Sequence, residues 1–333
     1  MNVQTTEMNT PSAMEQRIQN ITKFLFSIDI KTLLYPFLGI IVFLFLWHVG
    51  ASKVDTSLGK FPGPSQVLEQ SQVLLEEHAA EQDKAAAFYI RQDERNAKKL
   101  AADPNAEIKV RKYTGKETFL DQIITSLKTV LFGFLIASAF AIPVGIVCGL
   151  SDGFYKGMNP LIQIFKPVSP LAWLPLITMV VSAVYVSDDP FFEKSFLVSA
   201  ITVALCCLWP TLINTAVGVA SVDKDLINVS RVIKLPALTH VRKIILPASI
   251  PMIFTGLRLS LATGWMVLIA AEMLSQNPGL GKFVWDEFQN GSSNSLSRIM
   301  VAVIVIGLIG FFLDRLILIL QRYVSWDKNA VLR

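Results

Sequence analysis

Apolar residues in this chain come in runs whose length matches a bilayer, and short polar connections separate them. A helix crossing the hydrocarbon core needs about 20 mostly apolar residues, and several windows of that length contain no Lys, Arg, Asp or Glu. The first, 32–52 between Lys31 and Lys53, predicts an uncleaved signal-anchor helix. Thr129–Ser151 predicts a second span and Ser195–Val222 a fourth. Ile244–Ala271 predicts the fifth, broken in charge only by Arg258. The sixth occupies Ile299 to about Leu320, with Arg298 at its start and Asp314 and Arg315 near its end. The third runs to about Ser187 and carries Pro167, Pro170 and Pro175 in its first half. Proline leaves helical carbonyls without partners, so a kinked or unwound start is expected there. The preceding SDGFYKGMNP, 151–160, reads as a short turn-rich connection. The pattern predicts an all-α membrane protein with six transmembrane helices.

The stretch 53–118 has another character. FPGPS at 61–65 ends one element and starts the next, and Gln66–Ala102 then lacks both Gly and Pro. It predicts a helix stopped at Asp103 and Pro104, followed by a weak short strand over Glu107–Tyr113. This is a mostly helical insert outside the membrane. Residues 1–31 are polar and mixed in charge, with an interfacial helix near Ile18–Phe26. They and residues 326–333 read as cytoplasmic tails, around a five-helix core at 119–325.

Charge supplies the orientation. Asp223–Ser249 carries Lys224, Arg231, Lys234, Arg242 and Lys243 against Asp223 and Asp225, between two apolar runs. Under the positive-inside rule this is a cytoplasmic loop. Both termini then lie in the cytoplasm and the insert on the outside. Only 17% of the 333 residues are charged, against about 25% in soluble domains. The net charge of +4 is modest and sits beside apolar spans, which favours a lipid surface or protein partner over nucleic acid.

Candidate chemistry is sparse. His48, His78 and His240 are scattered, and Cys148, Cys206 and Cys207 fall inside apolar runs as small buried hydrophobes. No cluster has metal spacing. GLGK at 279–282 fails the phosphate-loop pattern, since position 276 is Gln and Phe283 follows the Lys. The chain is expected to be non-catalytic and to bind no cofactor, with energy coming from a partner or a gradient. Intramembrane charge stands out instead. Arg258, Trp265 and Glu272 are seven apart on one helix face, and Arg258 and Glu272 lie about 21 Å apart, too far to pair. Arg258 either presents its fork to an anion in transit or bonds a neighbouring carbonyl. Cys207, Thr211, Asn214, Gly218 and Ser221 form a small and polar face, either a packing seam or a pathway wall. Trp173, among the prolines, either lines a cavity or packs.

The basic loop resembles the cytoplasmic EAA loop of ABC importer permeases, whose pattern is EAA, three residues, Gly, nine residues, then I-x-L-P. Ile244, Leu246 and Pro247 match its end, which sets Asn228, Val229 and Ser230 at EAA and Lys234 at the Gly. The motif's Glu and Gly are both absent. PVSPLAWLPLITM, LWPTLINTAVGV, TGLRLSLATGWMVLIAAEML and NPGLGKFVWDEFQN are similar to the nitrate/sulfonate/bicarbonate group, and most to its nitrate branch. The resemblance spans about residues 120–325 and implies a type I importer fold in a bacterial inner membrane. It also implies two permease copies, two ATPase subunits holding ATP and Mg, and a periplasmic or lipid-anchored binding protein. Nitrate or nitrite is the expected cargo, with bicarbonate, cyanate and sulfonates as alternatives, and a gradient-driven transporter or channel as an alternative of another class. The loop 223–243 would form a short helix offering Leu226, Val229, Ile233 and Leu235, with Arg231 among its charges, to an ATPase groove. Arg258, Trp265, Glu272, Thr211, Asn214 and Trp173 are the candidate pathway residues.

Overall fold

The structure, a computed structural model, describes residues 30–56, 59–103, 108, 110–186 and 191–325. The interfacial helix expected at Ile18–Phe26 and the tail 326–333 lie outside the described residues. The chain divides into two units, one ending at Gln66 and the other beginning at Val67.

In the first unit α1, Ile30–Ala51, leads into a two-residue hairpin of β1 (Asp55–Thr56) and β2 (Gly59–Lys60). Asp55 pairs with Lys60 and Thr56 with Gly59. The indole of Trp47 donates to the Pro62 carbonyl at 3.1 Å, which folds the chain back on the helix end. Phe37, Phe43 and Phe45 are exposed on several sides of α1. An apolar surface all round a helix suits lipid, not water.

The second unit begins with most of α2, Pro64–Ala102, a 39-residue helix with negative mean hydropathy outside the spans. It is followed by α3 (Phe119–Leu150), α4 (Asp152–Phe165), α5 (Pro170–Val184) and α6 (Lys194–Ala220). The short helix α7, Lys224–Val232, precedes α8, Ala237–Ser275, which includes a π-helical turn at Val241–Ile245. The last described helices are α9 (Leu280–Asn290) and α10 (Ser295–Val324). Among the described residues five helices are long and apolar enough to cross a membrane, or six if the bent pair α4–α5 forms one span.

Helix α6 is the centre of the core, packed between α3 and α8. The approach is close because small residues face one another, as membrane helices without a hydrophobic driving force require. A Cβ on Gly145 of α3 would stand 2.7 Å from the Thr215 Cβ and 2.8 Å from the Leu212 carbonyl of α6. On the other seam, a Cβ on Gly264 would stand 2.5 Å from the Cys207 sulfur.

Two local expectations are corrected. Residues 151–160 form most of helix α4, not a turn. Ser151 caps it by accepting from the Phe154 N–H at 3.3 Å, Asp152 sits in the first turn, and Gly153 and Gly157 are simply exposed helical positions. The other concerns the third span, whose expected unwound start is present as a break at 166–169 holding Pro167, but which is two helices bent by 97° and not one. Ser169 caps α5 through the Leu171 N–H, and Pro170 takes the first turn, where its missing N–H has no cost. The weak strand expected over 107–113 is irregular at 110–113, and residues 107 and 109 lie outside the described residues.

Candidate functional site

Helix α7 has an inner and an outer face. Asp223 caps it by accepting from the Asp225 N–H at 2.9 Å. Ile227 and Val222 pack inward near Val219 and Ile245, and Ser230 is buried and donates to the Ile227 carbonyl at 2.8 Å. The other face leaves Leu226, Val229 and Ile233 exposed at 48%, 56% and 59%. These positions recur at three and four residues, so they make one apolar stripe. Asp225, Asn228, Val229, Val232 and Ile233 line a shallow depression there. Val232, 81% exposed, was absent from the sequence-based set. Leu235 is half-buried and contributes less to the surface than Leu226.

Lys234 ends the helix at φ 49°, in the left-handed region. The Leu235 N–H then reaches the Ser230 carbonyl at 3.1 Å, closing the helix C-terminus. This is the position where the EAA pattern carries Gly. The left-handed backbone at this position is one that Gly adopts without strain and Lys does not. Arg231 is exposed in the last turn, where its charge opposes the helix dipole.

At the far end of α8, after 39 residues or about 58 Å of helix, lies a buried polar knot. Glu272 is fully buried. The Ser126 hydroxyl of α3 lies 2.9 and 2.8 Å from its two oxygens, and the Gly281 N–H donates to Oε2 at 3.0 Å. Ser126 also accepts from the Leu280 N–H at 2.8 Å. Orphan donors of the first turn of α9 are thus satisfied by a hydroxyl and a carboxylate. A side chain on Gly279 would collide with the Glu272 carboxylate, and one on Gly281 with the Ile269 carbonyl. The GLGK segment therefore needs its glycines to fold over Glu272. Beside the knot, Asn277 donates to Thr129 at 3.3 Å. It lines a cavity of about 580 Å³ with Lys128, Glu117, Glu193 and an aromatic group around Phe132, Phe192 and Phe196.

The other intramembrane charge has a partner that the sequence did not reveal. Arg258 donates to Asp314 of α10 through Nε at 2.9 Å and a terminal nitrogen at 3.1 Å. A free cation facing a pathway was the alternative to a carbonyl bond, and the structure shows neither. The polar face of α6 is the seam with α8: Asn214 lies under Gly256, and Cys207 and Ser260 exchange bonds to each other's carbonyl. Thr211 is fully buried and Trp265 donates to the Ile306 carbonyl of α10 at 3.0 Å. Within this chain Thr211, Asn214, Trp265 and Glu272 lie at contacts between helices. Trp173 is half-buried, 5.9 Å from the Phe165 ring across the α4–α5 bend.

One cluster escaped sequence reasoning. Arg298, at the start of α10, makes two bonds of 2.8 Å to Glu77 of α2 and lies 2.7 Å from Glu287 of α9. Glu287 also accepts from Ser295 at 3.1 Å. The hydrogen-bonded guanidinium holds the Glu77 carboxyl below the ordinary range. Arg298 was legible only as a charge at a span boundary, because its partners are 221 and 11 positions away.

A bundle of apolar helices, with a short apolar-faced helix held outside it, is the architecture of a multi-pass membrane protein. The profile of binding-protein-dependent transport system inner membrane components matches residues 141–326. The nitrate import permease protein NrtB of Synechococcus elongatus is 37% identical over 204 residues, covering 61% of this chain and 69% of that one. The bicarbonate transport system permease protein CmpB of the same species is 32% identical over 293 residues, 88% of this chain and 89% of that one. An inward-facing structure of the MetNI methionine ABC transporter has a TM-score of 0.52 at 13% identity, over 62% of this chain and 96% of that one. The chain belongs to the family of binding-protein-dependent transport system inner membrane components, and its fold is that of a type I ABC importer permease.

Proposed function

We propose that this chain is the membrane permease subunit of an ATP-driven importer for a small oxyanion, nitrate first. The observation that carries the reading is the outward stripe of Leu226, Val229 and Ile233 on α7, in a chain 37% identical to a nitrate import permease. Exposed apolar side chains at helical spacing are what a groove on a partner recognises. Two copies of the chain pair in a bacterial inner membrane, two ATPase subunits carrying ATP and Mg grip α7, and a binding protein delivers the anion from outside. Both termini and α7 face the cytoplasm, following the basic residues of 224–243. Closure of the ATPase pair pushes α7, and α8 carries the movement to the opposite end as a rigid body.

With Arg258 neutralised by Asp314, the chain supplies no unbalanced intramembrane cation there, so the binding protein sets most of the selectivity. Bicarbonate is the second reading, favoured by the CmpB relative that aligns over most of both chains. The test is ATP hydrolysis by the assembled complex in nanodiscs with nitrate, bicarbonate or taurine and the binding protein. Stimulation by nitrate alone supports the reading, and stimulation by bicarbonate alone moves the substrate. Failure of any ATPase to copurify sends the chain to a gradient-driven class. Val229→Ala with Ile233→Ala should release the ATPase subunits. Assembly and transport that survive both changes would remove α7 as the coupling element.

A further inference from the structure

Helix α2 carries Arg91, Arg95 and Lys99 at a spacing of four, which puts them on one face. Arg111 of the returning chain joins them around a pocket of about 490 Å³ with Phe88 and Gln92, and no Asp or Glu lines it. The return is fixed by hydrogen bonds that climb α2 step by step. Thr118 meets His78 at 2.6 Å, the Tyr113 hydroxyl donates to Glu81 at 2.7 Å, and its N–H donates to the Tyr89 hydroxyl at 3.2 Å. The Arg111 N–H then donates to Gln92 at 2.7 Å. The Arg111 backbone is thus fixed beside the α2 face that carries the other three cations.

We propose that this pocket docks an acidic loop of a soluble protein, which under the function proposed above, on which this inference rests, is the binding protein. Guanidinium forks match carboxylates bidentately, and the pocket is far larger than one small oxyanion. Its place on α2 is separated along the helix from the start of α3. From His78, level with the capping residue of α3, to Gln92 is about 21 Å along α2.

The test uses the assembled complex in neutral phosphatidylcholine nanodiscs, titrated separately with a fluorescent hexaglutamate peptide, with the binding protein and with phosphatidylglycerol vesicles. Arg95→Glu with Arg111→Glu should weaken the first two at least tenfold and abolish their salt dependence. ATP hydrolysis without the binding protein should stay unchanged, and Arg95→Lys should recover most of the affinity. Arg91→Gln with Lys99→Gln provides a second, milder pair, expected to weaken binding about threefold. Wild-type binding that the charge reversals leave intact overturns the docking proposal alone. A wild-type complex that hydrolyses ATP yet never engages the binding protein overturns the functional reading and the docking with it. Charge reversals that weaken binding only to phosphatidylglycerol vesicles assign the pocket to lipid and also overturn the proposal.

Discussion

Arg258 and Asp314 hold α8 to α10 through two parallel hydrogen bonds of 2.9 and 3.1 Å, in side chains about one-third exposed. The pair lies between the limits of a surface bridge, worth about 0–1 kcal/mol, and a buried one whose disruption costs about 3–5 kcal/mol. Arg258→Met alone should therefore destabilise the protein by about 1–3 kcal/mol in detergent unfolding. Adding Asp314→Leu should restore most of that loss, because no charge is then left unpaired. Transport separates the two roles of Arg258. Recovery in the double variant makes it a structural clamp, whereas stability without transport makes it a contact for the anion.

Lys234 predicts a gain. A side chain in the left-handed region costs about 1–2 kcal/mol relative to Gly, and φ at Lys234 is 49°. The greater freedom of Gly in the unfolded chain takes back part of this. Lys234→Gly should stabilise the protein by about 0.5–1 kcal/mol, while Lys234→Val should destabilise it. Equal melting temperatures for all three would contradict a strained helix end.

How far the sequence revealed this fold depended on the range of the interactions. Lengths of apolar runs located the spans, because a span is decided by residues adjacent in sequence. The EAA alignment set Lys234 at the motif's Gly but counted Leu235 on the same helix, which in the structure stops at Val232. At 151–160, Gly and Pro counted as turn formers, yet Ser151 and Asp152 start a helix that tolerates both. Partners across the bundle were out of reach. Asp314 read as a charge at the end of a span, and nothing near Glu272 in sequence indicates that Ser126, 146 positions earlier, supplies its hydrogen bond.

Ser126 connects three helices through one hydroxyl, donating to Glu272 and accepting from the Leu280 N–H. Ser126→Ala removes both interactions and leaves buried groups unsatisfied, at about 1–3 kcal/mol for the donor or acceptor left over. The expected result is a loss of about 2–4 kcal/mol, with faster hydrogen exchange at the start of α9. Ser126→Thr, which keeps the hydroxyl, should lose less unless its added methyl overpacks the site. Unaltered exchange at Leu280 and Gly281 in the alanine variant would disprove the knot.

Glu77 gives stability a pH dependence. Its hydrogen bonds from Arg298 lower its pKa in the folded protein, so the unfolded chain takes up a proton first as pH falls. The contribution of the pair is complete above the ordinary glutamate value of about 4.3. It declines as pH drops through that value toward the lower folded one. Glu77→Gln cannot titrate and should flatten this part of the acid unfolding profile while slightly lowering stability at neutral pH. Arg298→Gln should flatten it as well, by removing the cause of the shift, and should cost more at neutral pH because Glu287 also loses its partner. An acid limb of the same slope in wild type and Glu77→Gln would place the titrating group elsewhere. Glu81 is the first alternative to examine, since the Tyr113 and Lys84 hydrogen bonds hold its carboxyl below the ordinary range, whereas burial raises Glu117 and gives the opposite sign.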